Sequence, residues 1–169
     1  MEQQGVVLIG HGGVPKDFPR ELLKKWMDLH KKRPADQAPS QTEMDLENTL
    51  RSWPRTPEND PYQFGLEALA EQLRAQLANV ELKTAYNEFC QPTIAQAVDA
   101  LIASGVMNIV LLTTMVTPGG SHAEKEIPEE IRKLKEKYPA AHIDYAWPFD
   151  LHKVAEMMKD QIESFQPRA

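Results

Sequence analysis

The chain has 169 residues, 41% hydrophobic and 26% charged, with a formal net charge of -6. That length suits one domain with a real core, and an acidic balance without a basic stripe argues against a nucleic-acid footprint. No apolar run is long enough to span a bilayer, no secretory pattern opens the chain, and the lone Cys90 excludes an internal disulfide or a cysteine-cluster metal site. The expected location is cytoplasmic, and any metal must be held by histidine and carboxylate.

Gly5-Val6-Val7-Leu8-Ile9-Gly10 is apolar without alternation, the pattern of a strand buried on both faces of a parallel sheet. It breaks into His11-Gly12-Gly13, where glycine permits a tight turn and the close approach of a ligand. His11 is thereby expected at the carboxyl end of a first, central strand, where open α/β sheets bind ligands. A histidine that caps a helix or merely meets water is the alternative. Phe18, Leu22, Trp26 and Leu29 recur at helical spacing and predict a helix over 18–32. From Arg33 to Pro61 the chain is rich in proline and poor in core-sized residues, with a short helix predicted over 41–53, capped by Ser40 or Thr42. The whole excursion, about residues 14–60, reads as an insertion within a single domain, either a lid or an ordered but idle flap.

Phe64, Leu66, Leu69, Leu73 and Leu77 predict a helix over 62–78, and Val80 to Tyr86 alternates as a strand. Residues 87–91 make a turn, Pro92 suits the first position of a helix, and Gly105 ends that helix. Asn108 to Met115 is a second apolar strand without alternation, opening into Thr117-Pro118-Gly119-Gly120-Ser121-His122. A helix over 123–138, a strand over 142–147 and a helix over 148–165 complete the chain. Strands alternating with helices predict an α/β three-layer sandwich, a four-stranded parallel sheet with helices on both faces.

His11, Glu88 and His122 follow the first three strands, and all carboxyl ends of a parallel sheet point one way. The three can therefore meet in one cleft. Two imidazoles and a carboxylate suit cobalt, nickel, ferrous iron or zinc. Glu88 reads equally as a helix-start carboxylate, and His122 as a helix cap. His30, among lysines at a helix end, reads as solvated; His142 reads as a surface residue, His152 has no second signal, and Cys90 reads as a small buried residue. No dinucleotide, P-loop or nucleophile-elbow motif occurs.

The segments LIGHGG, YNEFCQPTI, NIVLLTTMVTPGGSH and KEIPEEI resemble the small sirohydrochlorin cobaltochelatase/ferrochelatase family, the CbiX-like class II tetrapyrrole chelatases. The resemblance covers residues 5–13 and about 62–165 in the right order. It implies an enzyme that inserts a divalent cation (cobalt, ferrous iron or nickel) into a sirohydrochlorin-type tetrapyrrole for cobalamin or sirohaem synthesis, without an organic cofactor. It also implies that His11 and His122 bind the metal with Glu88 assisting, and that the glycine loops at Gly12 and Gly119-Gly120-Ser121 give the flat macrocycle a slot. Lys16, Arg20 or Lys125 would meet its carboxylates. The chain departs from the family at Gly13, where serine is common, at Glu126, where aspartate is usual, and in its long insertion. These departures support an alternative, a non-catalytic metal or tetrapyrrole carrier. Short family members resemble one half of the two-lobed chelatases, which implies a homodimer.

Overall fold

The computed structural model describes residues 3–34 and 36–165. Among these, β1 (Gln4–Gly10), β2 (Val80–Tyr86), β3 (Asn108–Thr113) and β4 (His142–Tyr145) form one sheet of order β2-β1-β3-β4. All three pairings are parallel, with Gly10 opposite Tyr86 and Ile9 opposite Thr113 at the carboxyl ends. The helices are α1 (Arg20–Lys32), α2 (Gln41–Arg51), α3 (Pro61–Gln76), α4 (Ile94–Ala103), α5 (Ile127–Lys137) and α6 (Leu151–Ser164). The expected α/β three-layer architecture is the one observed, and no described helix is long and apolar enough to cross a membrane.

Alternating residues of β1 explain why its sequence does not alternate. Val7 and Ile9 join Ala97, Val98 and Leu101 of α4 and Ile127, Ile131 and Leu134 of α5 in one core layer. Val6 and Leu8 face Leu66 and Ala70 of α3 in the other. Each such side chain contributes about 1.5–3 kcal/mol on burial, so a one-residue slip of β1 would exchange two full apolar sets. β3 differs from its sequence reading. Ile109, Leu111 and Thr113 are buried, but Val110 and Leu112 are only partly so. α3 covers the β2 and β1 side of that face, and α6, which has no buried residue, does not seal the rest.

Several boundaries move for identifiable reasons. Helix α1 starts at Arg20 because Phe18 is drawn inward against Trp53, ring centroids 5.0 Å apart. α4 starts at Ile94, not at Pro92: Thr93 and Gln96 form a reciprocal capping box that fixes the first turn. β4 stops at Tyr145, and Asp150 caps α6 ahead of Leu151. Residues 122–126 form a π-helical turn leading into α5.

The insertion is ordered around a buried carboxylate. Ser40 caps α2, worth about 1 kcal/mol, and Glu43 in its first turn accepts from His30 at 3.1 Å and Arg33 at 3.2 Å at the end of α1. His30 also stacks on Trp26; it is solvent-exposed as expected, and is held in place as well. Burial alone would raise the Glu43 carboxyl, but these hydrogen bonds outweigh it and hold the group below its ordinary 4.5. A lowered folded-state value means the stabilisation is present above 4.5 and is lost as pH falls through the lowered value. Denaturant unfolding against pH should therefore show an acid limb that Glu43→Gln flattens, with a lower midpoint for the variant at neutral pH.

Candidate metal centre

The hydrogen-bond ladder between β1 and β2 continues beyond the sheet. Asn87 N donates to Gly10 O at 2.9 Å and Glu88 N to His11 O at 2.8 Å. Those two bonds set Glu88 beside His11, with Oε2 3.6 Å from His11 Nε2. The approach is possible only because residue 12 is glycine. Its φ is +95°, and a Cβ there would lie 1.9 Å from the Glu88 carbonyl oxygen. Tyr62, at the start of α3, accepts from His11 N at 2.8 Å and anchors the same turn. His11 Nδ1 lies 2.8 Å from Gly12 O; the proton therefore belongs on Nδ1, and Nε2 is left as the free lone pair. Glu88 sits in an irregular turn, and Thr93 caps α4, so the helix-start reading of this carboxylate does not hold.

His122 reaches the same place from the other side. It opens the π-helical turn after β3, a distortion that recurs at functional sites. Its Nδ1 lies 2.8 Å from Glu126 Oε2, one turn on, and Asn87 Nδ2 donates to that oxygen at 3.1 Å. Asn87 Nδ2 also lies 3.0 Å from the same ring nitrogen; the Glu126 carboxylate can only accept, so it draws the His122 proton to Nδ1 and leaves Nε2 free, the orientation outer carboxylates impose on metal-binding imidazoles. Burial would raise the Glu126 carboxyl, but hydrogen bonds from His122, Asn87 and Ser121 outweigh it and hold it low. The cap reading of His122 fails, since its ring bonds a side chain rather than the helix start.

One ligand atom from each of His11, Glu88 and His122 lies within 4.8 Å of the others, and all three residues are partly buried. The two imidazoles meet edge to face with centroids 4.9 Å apart. Tetrahedral donors about 2.1 Å from one ion lie about 3.4 Å apart, so donors at the 4.8 Å limit must close by more than about 1 Å to hold a cation. Among the other predicted residues, Gly119 takes a positive φ of 95° and donates its N–H to Glu124 at 2.7 Å. Gly12 is buried at the cluster, while Gly120 and Ser121 are exposed on the loop before His122.

Two cavities lie nearby, only the smaller of them lined by a cluster residue, Glu88. One of about 290 Å³ is walled by Trp26, His30, Arg51, Glu88 and Phe89, and another of about 570 Å³ lies between α2, the 87–93 turn and α5. Lys16, Arg20 and Lys125 line neither; the cations that do are Arg51 and Lys133. Sequence reading missed Asn87, although it adjoins Glu88, and saw Glu126 only as a departure; its spacing of four from His122 on a helix was the available signal. In Gly12→Ala the positive φ alone costs about 1–2 kcal/mol, and the new methyl must displace the Glu88 carbonyl. The expected result is a lower Tm and at least about tenfold weaker cobalt binding by calorimetry. Gly65→Ala, which meets nothing within 4 Å in the middle of α3, should leave binding unchanged.

Comparison with known proteins places this geometry. A sirohydrochlorin cobaltochelatase of Priestia megaterium is 32% identical over 87 residues, covering 51% of this chain and 28% of that protein. A sirohydrochlorin ferrochelatase of the same organism is 32% identical over 76 residues, covering 44% and 28%. These matches therefore span less than a third of either relative's length. The sirohydrochlorin chelatase SirB of Bacillus subtilis subspecies spizizenii, solved with cobalt, superposes with a TM-score of 0.55 at 20% identity over 94% of this chain and 50% of that one. A cobalamin (vitamin B12) biosynthesis CbiX protein of Marinobacter aquaeolei VT8 gives 0.52 at 16% identity, over 96% and 99%. Both share the fold. The CbiX family model matches residues 58–164, most of the chain and two of the three cluster residues, and the protein belongs to the CbiX family.

Proposed function

We propose that the protein is a metal chelatase that inserts a divalent cation, cobalt or ferrous iron, into a sirohydrochlorin-type tetrapyrrole. The observation that carries this reading is the convergence of His11, Glu88 and His122 within 4.8 Å beside cavities open to a ligand. The relatives named as cobaltochelatase and ferrochelatase support the reaction class. Nickel fits the same donor set. The chemical difficulty is to strip water from the cation while two pyrrole protons leave. The Nε2 atoms of His11 and His122 replace part of the water shell. Glu88 completes the set and accepts one pyrrole proton on its free oxygen, while the second leaves to water. The exposed Gly119-Gly120-Ser121 loop leaves the flat ring room to approach, whereas Gly12 is buried against the Glu88 carbonyl and offers none. The lone buried Cys90 suits a reducing, cytoplasmic setting.

One observation favours the carrier alternative. The larger cavity carries Glu47, Glu126, Glu129 and Glu130 against Arg51 and Lys133, a balance that opposes a polycarboxylate ring. Mixing the protein with sirohydrochlorin and cobalt decides between them. The expected outcome is the absorbance change of insertion, reduced by more than about 100-fold in His11→Ala and His122→Ala, beyond the effect of losing an outer partner. Binding of cobalt or ring without turnover would support the carrier instead.

The chelatase also acts as a homodimer in this reading. α6 presents Leu151, Met157, Met158 and Ile162 at 51–73% exposure, an apolar face that monomers rarely leave uncovered. The occupant is a second copy, because the chain spans only half of SirB and a second lobe of equal size is what a copy supplies. Light scattering should give a dimer for the native chain and a monomer for Ile162→Asp; a monomeric native chain would overturn the assignment.

A further inference from the structure

We infer that the segment read as an insertion is a clamp, not a lid or an idle flap, whose arginines, Arg55 and Arg51, are positioning residues for the metal ligands. The inference rests on the metal-site reading and adds to it the part of the chain that precedes the family match at residue 58.

Arg55 is the centre of the clamp. Its side chain is 7% exposed and pairs with Asp60, itself 3% exposed. Nη1 donates to Gly13 O at 2.7 Å, just beyond His11 and Gly12. Nη2 donates to Phe89 O at 2.5 Å, next to Glu88, and to Leu50 O at 3.0 Å at the end of α2. One guanidinium therefore ties the loop that carries His11 to the loop that carries Glu88. Arg51 grips the second loop from outside, donating to Cys90 O at 3.1 Å and Asn87 O at 3.4 Å, while Glu47 holds its Nε at 2.8 Å. Asp60 closes the frame. It caps α3 through Gln63 N, and α3 supplies the Tyr62 hydroxyl that holds the His11 amide.

The Glu88 loop needs such support. Phe89 has φ of 60°, a left-handed conformation that is an outlier for a bulky residue and persists only where its surroundings over-determine it. Its carbonyl is the one Arg55 holds most closely, and its ring packs against Trp26 of α1 at 5.8 Å. A buried ion pair contributes little net stability. A planar fork that satisfies three backbone carbonyls on two ligand loops and on α2 instead fixes geometry. Lysine in its place has one nitrogen and cannot span from Gly13 to Phe89.

The test measures cobalt binding by calorimetry and by the visible d–d absorption, which reports the ligand field. Arg55→Lys and Arg51→Met should each weaken binding about tenfold, within the range for outer positioning groups, and should alter the cobalt spectrum. Ile131→Val, in the core layer shared by α4 and α5, is the control that lowers Tm without moving either readout. In a Glu88→Ala background the Arg55→Lys loss should be smaller than in the native chain, because part of the arginine's effect runs through that carboxylate. Unchanged affinity in both arginine variants, or losses that add fully to Glu88→Ala, would overturn the clamp. Should Arg55→Lys not fold, Arg51→Met carries the same comparison. Absence of cobalt binding by the native chain would sink the metal-site reading itself, a distinct failure.

Discussion

The site depends on two amide hydrogen bonds made after the sheet has ended. Asn87 N to Gly10 O and Glu88 N to His11 O carry the β1–β2 ladder past its last paired residues. They bring a carboxylate from one strand end against an imidazole from another. The closeness this demands is beyond what any side chain at residue 12 permits, since a Cβ would collide with the Glu88 carbonyl. Glycine at this place is thus set by a backbone-to-backbone distance and not by the needs of a ligand. The cation is offered donors whose spacing the sheet register has already decided, and register in a strand buried on both faces is among the most strongly specified features of a fold.

A second layer of control comes from groups that never face the ion. On one side Glu126 and Asn87 orient His122; on the other the Gly12 carbonyl orients His11. Both free the distal nitrogen, so two rings from distant parts of the chain present the same kind of donor to one point. The frame of Arg55, Asp60 and Tyr62 then fixes the loops themselves. In the proposed chelatase reaction, donors on stiff loops that do not close fully on the ion would permit its transfer to a macrocycle with better-placed nitrogens.

The sequence made the sheet, its parallel sense and the three donors legible because each leaves a local signature. Val6 to Ile9 cannot alternate and be buried twice over, and a histidine or glutamate at a parallel strand's end needs no further information to be placed near the others. What it did not reveal is held by contacts distant along the chain. Arg51 and Arg55 lie in a proline-rich stretch without periodicity, and their partners at Asn87, Phe89 and Cys90 are more than thirty residues away. Lys16, Arg20 and Lys125 were attractive for charge alone, and charge does not say which wall of a cavity a flexible side chain lines. The non-alternating run at β3 was misleading in a similar way. Its composition fits burial on both faces, but burial depends on what covers it, and α6 leaves Val110 and Leu112 half open.

That open face separates two requirements that a two-lobed enzyme combines. Every proposed donor and every orienting group described here belongs to one chain: His11, Glu88, His122, Glu126, Asn87, Tyr62 and Arg55. The most exposed apolar residues are elsewhere, on α6, with Val110 and Leu112 of β3 half open. A second lobe is therefore unnecessary for gripping a cation; it would cover that apolar surface and enlarge the walls around a macrocycle. In the proposed reading, metal capture and ring binding would answer to different parts of the molecule, the first to sheet register and the clamp, the second to assembly. A family that occurs both as a single lobe and at twice the length can keep the first unchanged while the second is built either by duplication or by pairing.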